Sequence, residues 1–403
     1  MAKRDLPARS TSVHPPAAPA PVPHTRPAPS GLPAALAAIG LDTGKPGGAS
    51  ALEIGIYSLL VFVPIALVVE LLGLGNGWLF LTSAAAIIPL AKILSTATEQ
   101  LAAKVGTGLG GLLSATFGNA VEMIIAFFAL QAGLYEVVKA SIAGAIMGNV
   151  LFVLGLAILI GGLGKEKQVF NRTAAGVSAS QLTLAAAGLF IPAAFVLTTP
   201  DSLLTTDLRE ELSIGVAVLL LLGYVMQLIF SLRTHKHLYA EGEDEAEHGT
   251  SWSTRHAVIV LVAATVLVAI VAEWLVSGLE FLTESLHLSE LFVGVVVVAL
   301  VGGAAESVTA ISVARKDKMP LALNIVMSST LQIALFVAPV LVLIGFFIGR
   351  PLDLTFNLFE VATIMTTMLI ANAITHDGES NWFEGVQLLI AYALIAVAFF
   401  FHP

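Results

Sequence analysis

Stretches of about 20 apolar residues, each long enough to cross a bilayer core as a helix, recur along most of this chain. Short polar segments separate them. The pattern predicts eleven spans, at 51–73, 77–98, 107–131, 137–162, 174–198, 211–232, 256–281, 289–314, 320–348, 355–375 and 383–401. The expected fold is therefore an all-α polytopic membrane protein of about eleven transmembrane helices. Composition agrees: 57% of the 403 residues are hydrophobic and only 12% charged, about half the charge of a soluble domain, with a mean hydropathy of +0.91.

Two segments fall outside the pattern. Residues 1–50 hold Pro15, Pro16, Pro19, Pro21 and Pro23 among Ala and Ser with no hydrophobic period, the composition of a disordered, partly polyproline tail. Lys3, Arg4 and Arg9 precede no apolar core of the secretory type, so no cleavable signal is expected. The long polar loop, 233–255, carries Glu241, Glu243, Asp244, Glu245 and Glu247, an acidic run that either collects cations or is simply solvated.

Basic residues orient the spans. Sixteen of them, from Lys3 to Lys318 and including Lys92, Lys104, Lys165, Arg233 and Arg315, fall on the side of the N-terminus. Lys139, Arg209 and Arg350 fall on the other. By the positive-inside rule the N-terminus is cytoplasmic and the C-terminus lies outside. A bacterial-type plasma membrane is the expected setting, with a vacuolar membrane as the alternative. The net charge of −9 argues against nucleic acid as a partner. The absence of cysteine excludes disulfides and thiolate metal sites. The lipid bilayer is the one partner the composition demands, and nothing opposes assembly into a homo-oligomer.

Within the apolar pattern one phrase repeats: Gly118-Asn119-Ala120-Val121-Glu122 in the third span and Gly302-Gly303-Ala304-Ala305-Glu306 in the eighth. An acid at the centre of a spanning helix costs roughly 2.5–3.5 kcal/mol on insertion scales. Repeating that cost in the same local wording implies a use. The two copies lie five spans apart, and an odd offset reverses the direction of crossing. Spans two to six (77–232) and seven to eleven (256–403) then read as two inverted five-helix repeats with the first span as an extra, an architecture that places a site near the membrane midplane. Met147-Gly148-Asn149 and Met327-Ser328-Ser329 make a second pair of counterparts, with Gln332 one turn beyond.

Glu122 and Glu306 supply two negative charges, enough to balance one divalent cation. Asn119, Asn149, Ser328, Ser329 and Gln332 offer neutral oxygens at similar depth, in keeping with the six to eight oxygen ligands that Ca²⁺ takes. Hard oxygen donors favour Ca²⁺, Mg²⁺, Mn²⁺ or Na⁺. The small residues Gly118, Ala120, Gly302, Gly303 and Ala304 allow helices to approach and break. Two facing carboxylates out of water also repel each other, so without a metal the pair takes up protons. Competition between protons and a divalent cation for the same oxygens is sufficient chemistry for antiport. Plainer readings stand beside these: Asn149 and Gln332 as interhelical polar glue, Asn119 as the cap of a helix break, and Ser328 and Ser329 as small residues at a crossing.

Three other acids are secondary candidates: Glu273 inside the seventh span, Glu280 seven residues on, and Glu99 at the end of the second. Glu99 and Glu280 are placed to guard a vestibule, although helix-end acids are more often solvated. In His376-Asp377-Gly378-Glu379-Ser380-Asn381, Asp-Gly is turn chemistry, and Asn381 with Glu384 has the spacing of a capping box.

At these residues the chain resembles the calcium/proton antiporter (CAX-type) family within the wider Ca²⁺/cation antiporter superfamily. The resemblance rests on Ala115-Thr116-Phe117-Gly118-Asn119-Ala120-Val121-Glu122, on Arg315-Lys316-Asp317-Lys318-Met319, on Ser328 through Pro339, on the acidic loop, and on Asp377 through Trp382. It covers roughly 51–401. It implies an eleven-span fold, Ca²⁺ efflux from the cytoplasm with H⁺ as counter-ion, and Glu122 and Glu306 as the shared Ca²⁺/H⁺ site. No cofactor is implied; Ca²⁺ and H⁺ are cargo. Two positions depart from the family pattern: Gly303 stands where Asn is usual, and Ser307 where a His often follows the second Glu. A Na⁺/Ca²⁺ exchanger of the same fold is the nearest rival, but the Gly-Thr-Ser phrases typical of it are absent. A passive channel is a second. A membrane enzyme is a third, and the chain has no His-Glu-x-x-His or Gly-x-Ser-x-Gly.

Overall fold

A computed structural model describes residues 51–235, 238, 252–279 and 281–402. The Pro-rich segment, the acidic run 241–247 and Glu280 lie outside the described residues. What is described is almost entirely helical, and among those residues nine helices are long and apolar enough to cross a membrane, or eleven if each of two bent pairs is one span. In chain order they are α1 (Glu53–Leu72), α2 (Asn76–Val105), the bent pair α3 (Leu109–Phe117) and α4 (Ala120–Gln131), and α5 (Tyr135–Gly162). There follow α6 (Arg172–Thr198), α7 (Thr206–Thr234), α8 (Thr254–Ser277) and the bent pair α9 (Glu290–Gly302) and α10 (Ala304–Arg315). The last three are α11 (Met319–Phe347), α12 (Leu358–Thr375) and α13 (Trp382–Phe401).

Helix starts follow local chemistry. Asn171, Thr205, Ser253 and Ser289 each place a side-chain oxygen on a backbone N–H of the first turn, satisfying donors that a helix cannot. Among the described residues a reciprocal capping box forms at Asn357 and Glu360, where Glu360 N donates to Asn357 Oδ1 at 2.8 Å and Asn357 N donates to Glu360 Oε2 at 3.0 Å. The expected box at Asn381 is different. Its Oδ1 caps Phe383 and Glu384, but Glu384 answers the Asn381 side-chain amide rather than its backbone.

Two elements depart from the hydropathy reading. Helix α2 runs on to Val105, so Glu99 sits within it rather than at its end. The Asp377-Gly378 turn, with Gly378 at φ 82°, leads into a two-residue strand, Glu379–Ser380, paired with Gln168–Val169. Strands this short have no readable alternation. Lys167 Nζ clamps the pair by donating to Glu379 Oε1 at 2.7 Å, and that carboxylate hydrogen bond raises the lysine pKa above its usual value.

Burial sorts the helices. In α5, 83% of the apolar window is inside the protein, and in α2 and α11, 61%; in α1, α7 and α13 only 22% is. The first three form the centre and the last three face lipid. Since lipid tails are as apolar as Leu, the centre is held by close packing rather than by hydrophobic exclusion. Its tightest crossing joins α5 to α9. There a Cβ on Gly144 would strike the Val295 backbone, and one on Gly294 would meet Val137 O at 2.8 Å. At one end of α5, Lys139 pairs with Glu136 (2.7 Å) and Asp353 (3.6 Å) and donates to Thr355 O (3.4 Å), tying down the connection between α11 and α12.

Candidate functional site

The two repeated phrases form the two corners of the fold. The α3–α4 pair bends by 44° at Gly118-Asn119 and the α9–α10 pair by 61° at Gly303. Each Glu then sits in the first turn of the following half-helix, where the dipole and the free N–H groups favour a negative side chain. The corners interlock through their glycines. A Cβ on Gly302 would lie 3.1 Å from Glu122 Cγ and one on Gly303 would lie 3.8 Å from Glu122 Oε1; a Cβ on Gly118 would lie 3.8 Å from Glu306 Oε1. Each carboxylate therefore lies against the other corner's bare backbone.

Neutral oxygens join them. Asn119 Nδ2 donates to Gln332 Oε1 at 2.6 Å, which turns Asn119 Oδ1 toward Ser329 Oγ, 3.0 Å away. Asn149 Nδ2 donates to the same hydroxyl at 3.0 Å, and Ser329 also hydrogen-bonds Glu306 Oε2. Four helices thus contribute Asn119, Asn149, Ser329, Gln332 and Glu306 to one connected set. The wide turns of α5 at Gly148–Val153 and of α11 at Ile333–Val337 adjoin Asn149 and Gln332; such insertions, common at functional sites, re-aim the side chains of a helix. Asn119 starts α4 but its side chain caps nothing, so the network has claimed it.

Access to the two acids is unequal. Glu306 lines a cavity of about 210 Å³ with Ser95, Glu99, Thr309 and Ser328. Ser114, Ser328 and Gln332 also border a vestibule of about 530 Å³ that opens where α2 and α7 end and α11 begins. Glu122 meets only about 20 Å³, beside Ser141, Ile142 and Val298, room for one water at most. Of the two, Glu306 therefore borders much the larger space among the described residues. Among the described residues no group of three or more His, Cys, Asp and Glu is assembled; what the site brings together is two carboxylates and neutral oxygens.

The remaining sequence candidates are placed as follows. Ser328 faces the vestibule and donates to Asn324 O at 2.5 Å rather than joining the network. Glu99 is exposed at the cavity wall, accepting from Ser95 Oγ at 3.1 Å. Glu273 is exposed on α8 and lines none of these spaces. The sequence reading missed Thr309, Ser95 and Ser141. Thr309, three residues past Glu306, was the most readable of them, since a helix returns to the same face at that spacing.

The sequences matched by the family described as sodium/calcium exchanger protein are residues 76–233 and 256–401, the two halves on either side of the polar loop. The chain belongs to the sodium/calcium exchanger protein family. The exchanger is 45% identical over 364 residues to the Ca(2+)/H(+) antiporter of Synechocystis sp., covering 86% of this chain and 96% of that one. It is 40% identical over 348 residues to the vacuolar calcium ion transporter of Schizosaccharomyces pombe, covering 86% and 84%. Its fold matches the solved structure of native YfkE with a TM-score of 0.75 at 39% identity, over 86% of this chain and all of that one.

Of the two departures noted in the sequence, Ser307 turns its hydroxyl back to Gly303 O at 2.7 Å and offers the site nothing. Gly303 leaves space. A Cβ there would meet Ala299 O at 3.4 Å, Asn149 Oδ1 at 3.7 Å and Glu122 Oε1 at 3.8 Å, all ordinary contacts, at an unstrained φ of −78°. Gly303→Asn is expected to fold and to bring an amide oxygen to the poorer corner, tightening Ca²⁺ binding by about threefold to tenfold, the worth of one hydrogen-bond-scale contact of roughly 1 kcal/mol. Radiolabelled Ca²⁺ binding to the purified protein checks this; unchanged affinity in a folded variant counts against it.

Proposed function

We propose that this exchanger is a secondary transporter that moves Ca²⁺ out of the cytoplasm in exchange for H⁺, with Glu122 and Glu306 as the shared binding site. The observation that carries the reading is the interlocking of two bent half-helices, each setting its carboxylate on the glycine corner of the other. The Ca(2+)/H(+) antiporter of Synechocystis sp., at 45% identity, supports the choice of ions.

In this reading 77–232 and 256–403 are the inverted repeats, 51–73 is the extra helix, and the N-terminus and the loop 233–255 are cytoplasmic. The vestibule then opens to the cytoplasm. Ca²⁺ passes Glu99 and Ser328 to reach Glu306, and both carboxylates close on it with Asn119, Asn149, Ser329 and Gln332 supplying neutral oxygens. Rocking of the half-helices seals this side and opens the tight space beside Glu122 and Ser141 to the other. Protons arriving there displace the ion, because a protonated carboxyl no longer serves as an anionic ligand. The return passage carries protons on the same two acids. No covalent chemistry is required, so the protein acts as a transporter and not as an enzyme, and it needs no cofactor. A bacterial-type plasma membrane is the proposed setting, and a vacuolar one, as in the Schizosaccharomyces pombe relative, is the alternative.

The sign of the pH dependence follows. Acidifying the side on which Ca²⁺ binds fills the carboxylates with protons and lowers Ca²⁺ uptake; acidifying the opposite side drives it. In inverted vesicles, Ca²⁺ accumulation is expected under an inward-acid gradient and not under Na⁺ or K⁺ gradients at uniform pH. Accumulation driven by Na⁺ alone would make this a Na⁺/Ca²⁺ exchanger, and Ca²⁺ flux without stoichiometric proton movement would make it a channel.

A further inference from the structure

Lys92 is the seventeenth residue of the 30-residue α2, deep in the membrane span. An ammonium there is expensive, and intramembrane ionisable residues by default mark functional sites. Its side chain is half-buried and crosses to α10, where Nζ donates to Thr309 Oγ1 at 3.3 Å. Thr309 lies one turn beyond Glu306 and lines the same 210 Å³ cavity. Along α2, Lys92, Ser95 and Glu99 are spaced i, i+3 and i+7, which puts all three on one face. Ser95 and Glu99 line that cavity, so the Lys92 face is the cavity face. No ion pair between described residues involves Lys92. Its hydroxyl partner leaves the positive charge without an ion pair among the described residues, and two acids border the cavity: Glu99, two turns along α2, and Glu306, one turn before Thr309 on α10.

We propose that the Lys92 ammonium is a fixed positive charge in the approach to the carboxylate pair that holds Ca²⁺ affinity down and so speeds release of the ion. The proposal rests on Glu122 and Glu306 being the Ca²⁺ site. Two carboxylates in a dry site attract a divalent cation strongly, and a transport site must bind well enough to load yet weakly enough to unload. A tethered unit charge supplies that counterweight without occupying a coordination position. It acts more strongly the higher the charge of the ion it repels, so it limits trapping of divalent and trivalent ions most. Lys92 is a positioning and affinity-setting residue here, not a ligand. The rival role is purely mechanical, a strut joining α2 to α10 through Thr309.

The absence of cysteine from the chain permits a test on one folded sample. Lys92→Cys, reconstituted in vesicles, carries a unique thiol on the face of α2 that Ser95 and Glu99 share. Loss of the charge is expected to lower the KM for Ca²⁺ about tenfold, as one unit of Coulomb repulsion in a partly wet protein is removed. Modification with a positively charged aminoethyl methanethiosulfonate restores the parent KM. The negatively charged sulfonatoethyl reagent, of similar size, lowers it further. Displacement of radiolabelled Ca²⁺ by Tb³⁺ tightens about thirtyfold in Lys92→Cys, in proportion to the higher charge. The differences shrink at high ionic strength. Lys92→Arg keeps the parent KM, and Thr309→Val changes it little. The proposal is overturned by an unchanged KM in Lys92→Cys, by the two reagents shifting KM in the same direction, or by Thr309→Val reproducing the Lys92→Cys effect. Glu306→Gln separates the two levels: full exchange in that variant removes the site reading, whereas its loss together with an unchanged KM in Lys92→Cys removes only the proposal about Lys92.

Discussion

Glu122→Gln and Glu306→Gln are each expected to abolish Ca²⁺/H⁺ exchange. Gln keeps the shape of Glu and one oxygen, so the corners, whose glycines leave room for that shape and little more, stay folded. What is lost is one of two charges facing a divalent ion and one of two groups that carry a proton back. The first loss alone is worth on the order of 3 kcal/mol, about a hundredfold in affinity. The second removes the coupling itself. The two variants are not equivalent in detail. Glu306 is anchored by Ser329 within the network and borders the open cavity, so Glu306→Gln also disturbs Asn119 and Asn149 through that hydroxyl, and its loss of Ca²⁺ binding is felt from the vestibule side. Glu122 makes none of the network's hydrogen bonds, so Glu122→Gln leaves the network standing. Paired recordings of vesicle Ca²⁺ content and internal pH measure both. Coupled exchange at parental rates in both variants would remove the carboxylate pair from the mechanism.

The span pattern was legible because a membrane enforces it. With no water to satisfy the backbone, every crossing must be a helix of sufficient apolar length, and the expected positions agree with the observed helices to within a few residues except at the end of α2. That exception has a physical cause. Hydropathy lapses at Glu99, but a polar residue facing an internal cavity is not facing lipid, so the helix continues where the hydrophobic signal stops. The corners were legible for a different reason: an acid beside small residues, written twice, is costly unless used. The connections among Asn119, Ser329 and Gln332 were not, because contacts between residues some 210 positions apart leave no periodicity behind. Nor could sequence separate Ser328 from Ser329. Neighbours on a helix point about 100° apart, and only the packing of α11 against α5, α6 and α10 decides which one meets Glu306 and which one meets the vestibule.

Gly144 gives the other large expected effect, on assembly of the site rather than on its chemistry. At the α5–α9 crossing its missing side chain is occupied by the Val295 backbone, with the Val295 carbonyl carbon 2.6 Å from where a Cβ would be. Backbone cannot rotate away as a side chain can, so Gly144→Ala forces the two helices apart. Overpacking of this kind costs about 1–3 kcal/mol, and Gly144→Leu costs more. The consequence reaches the ion, because α5 carries Asn149 little more than one turn beyond Gly144, while α9 ends at Gly302, on which Glu122 rests. Separating them loosens the grip of one corner on the other. Gly148, one turn along the same helix, has nothing within 4 Å of its added Cβ, and Gly148→Ala supplies the control for helix propensity, being expected to leave stability equal or slightly raised. Thermal unfolding of detergent-purified protein is therefore expected to show Gly144→Leu below Gly144→Ala, both below the parent, and Gly148→Ala at or above it, with Ca²⁺ flux falling in the same order for the Gly144 pair. A Gly144→Ala protein with parental Tm and flux would mean that the crossing yields at no cost and that the corners do not depend on it.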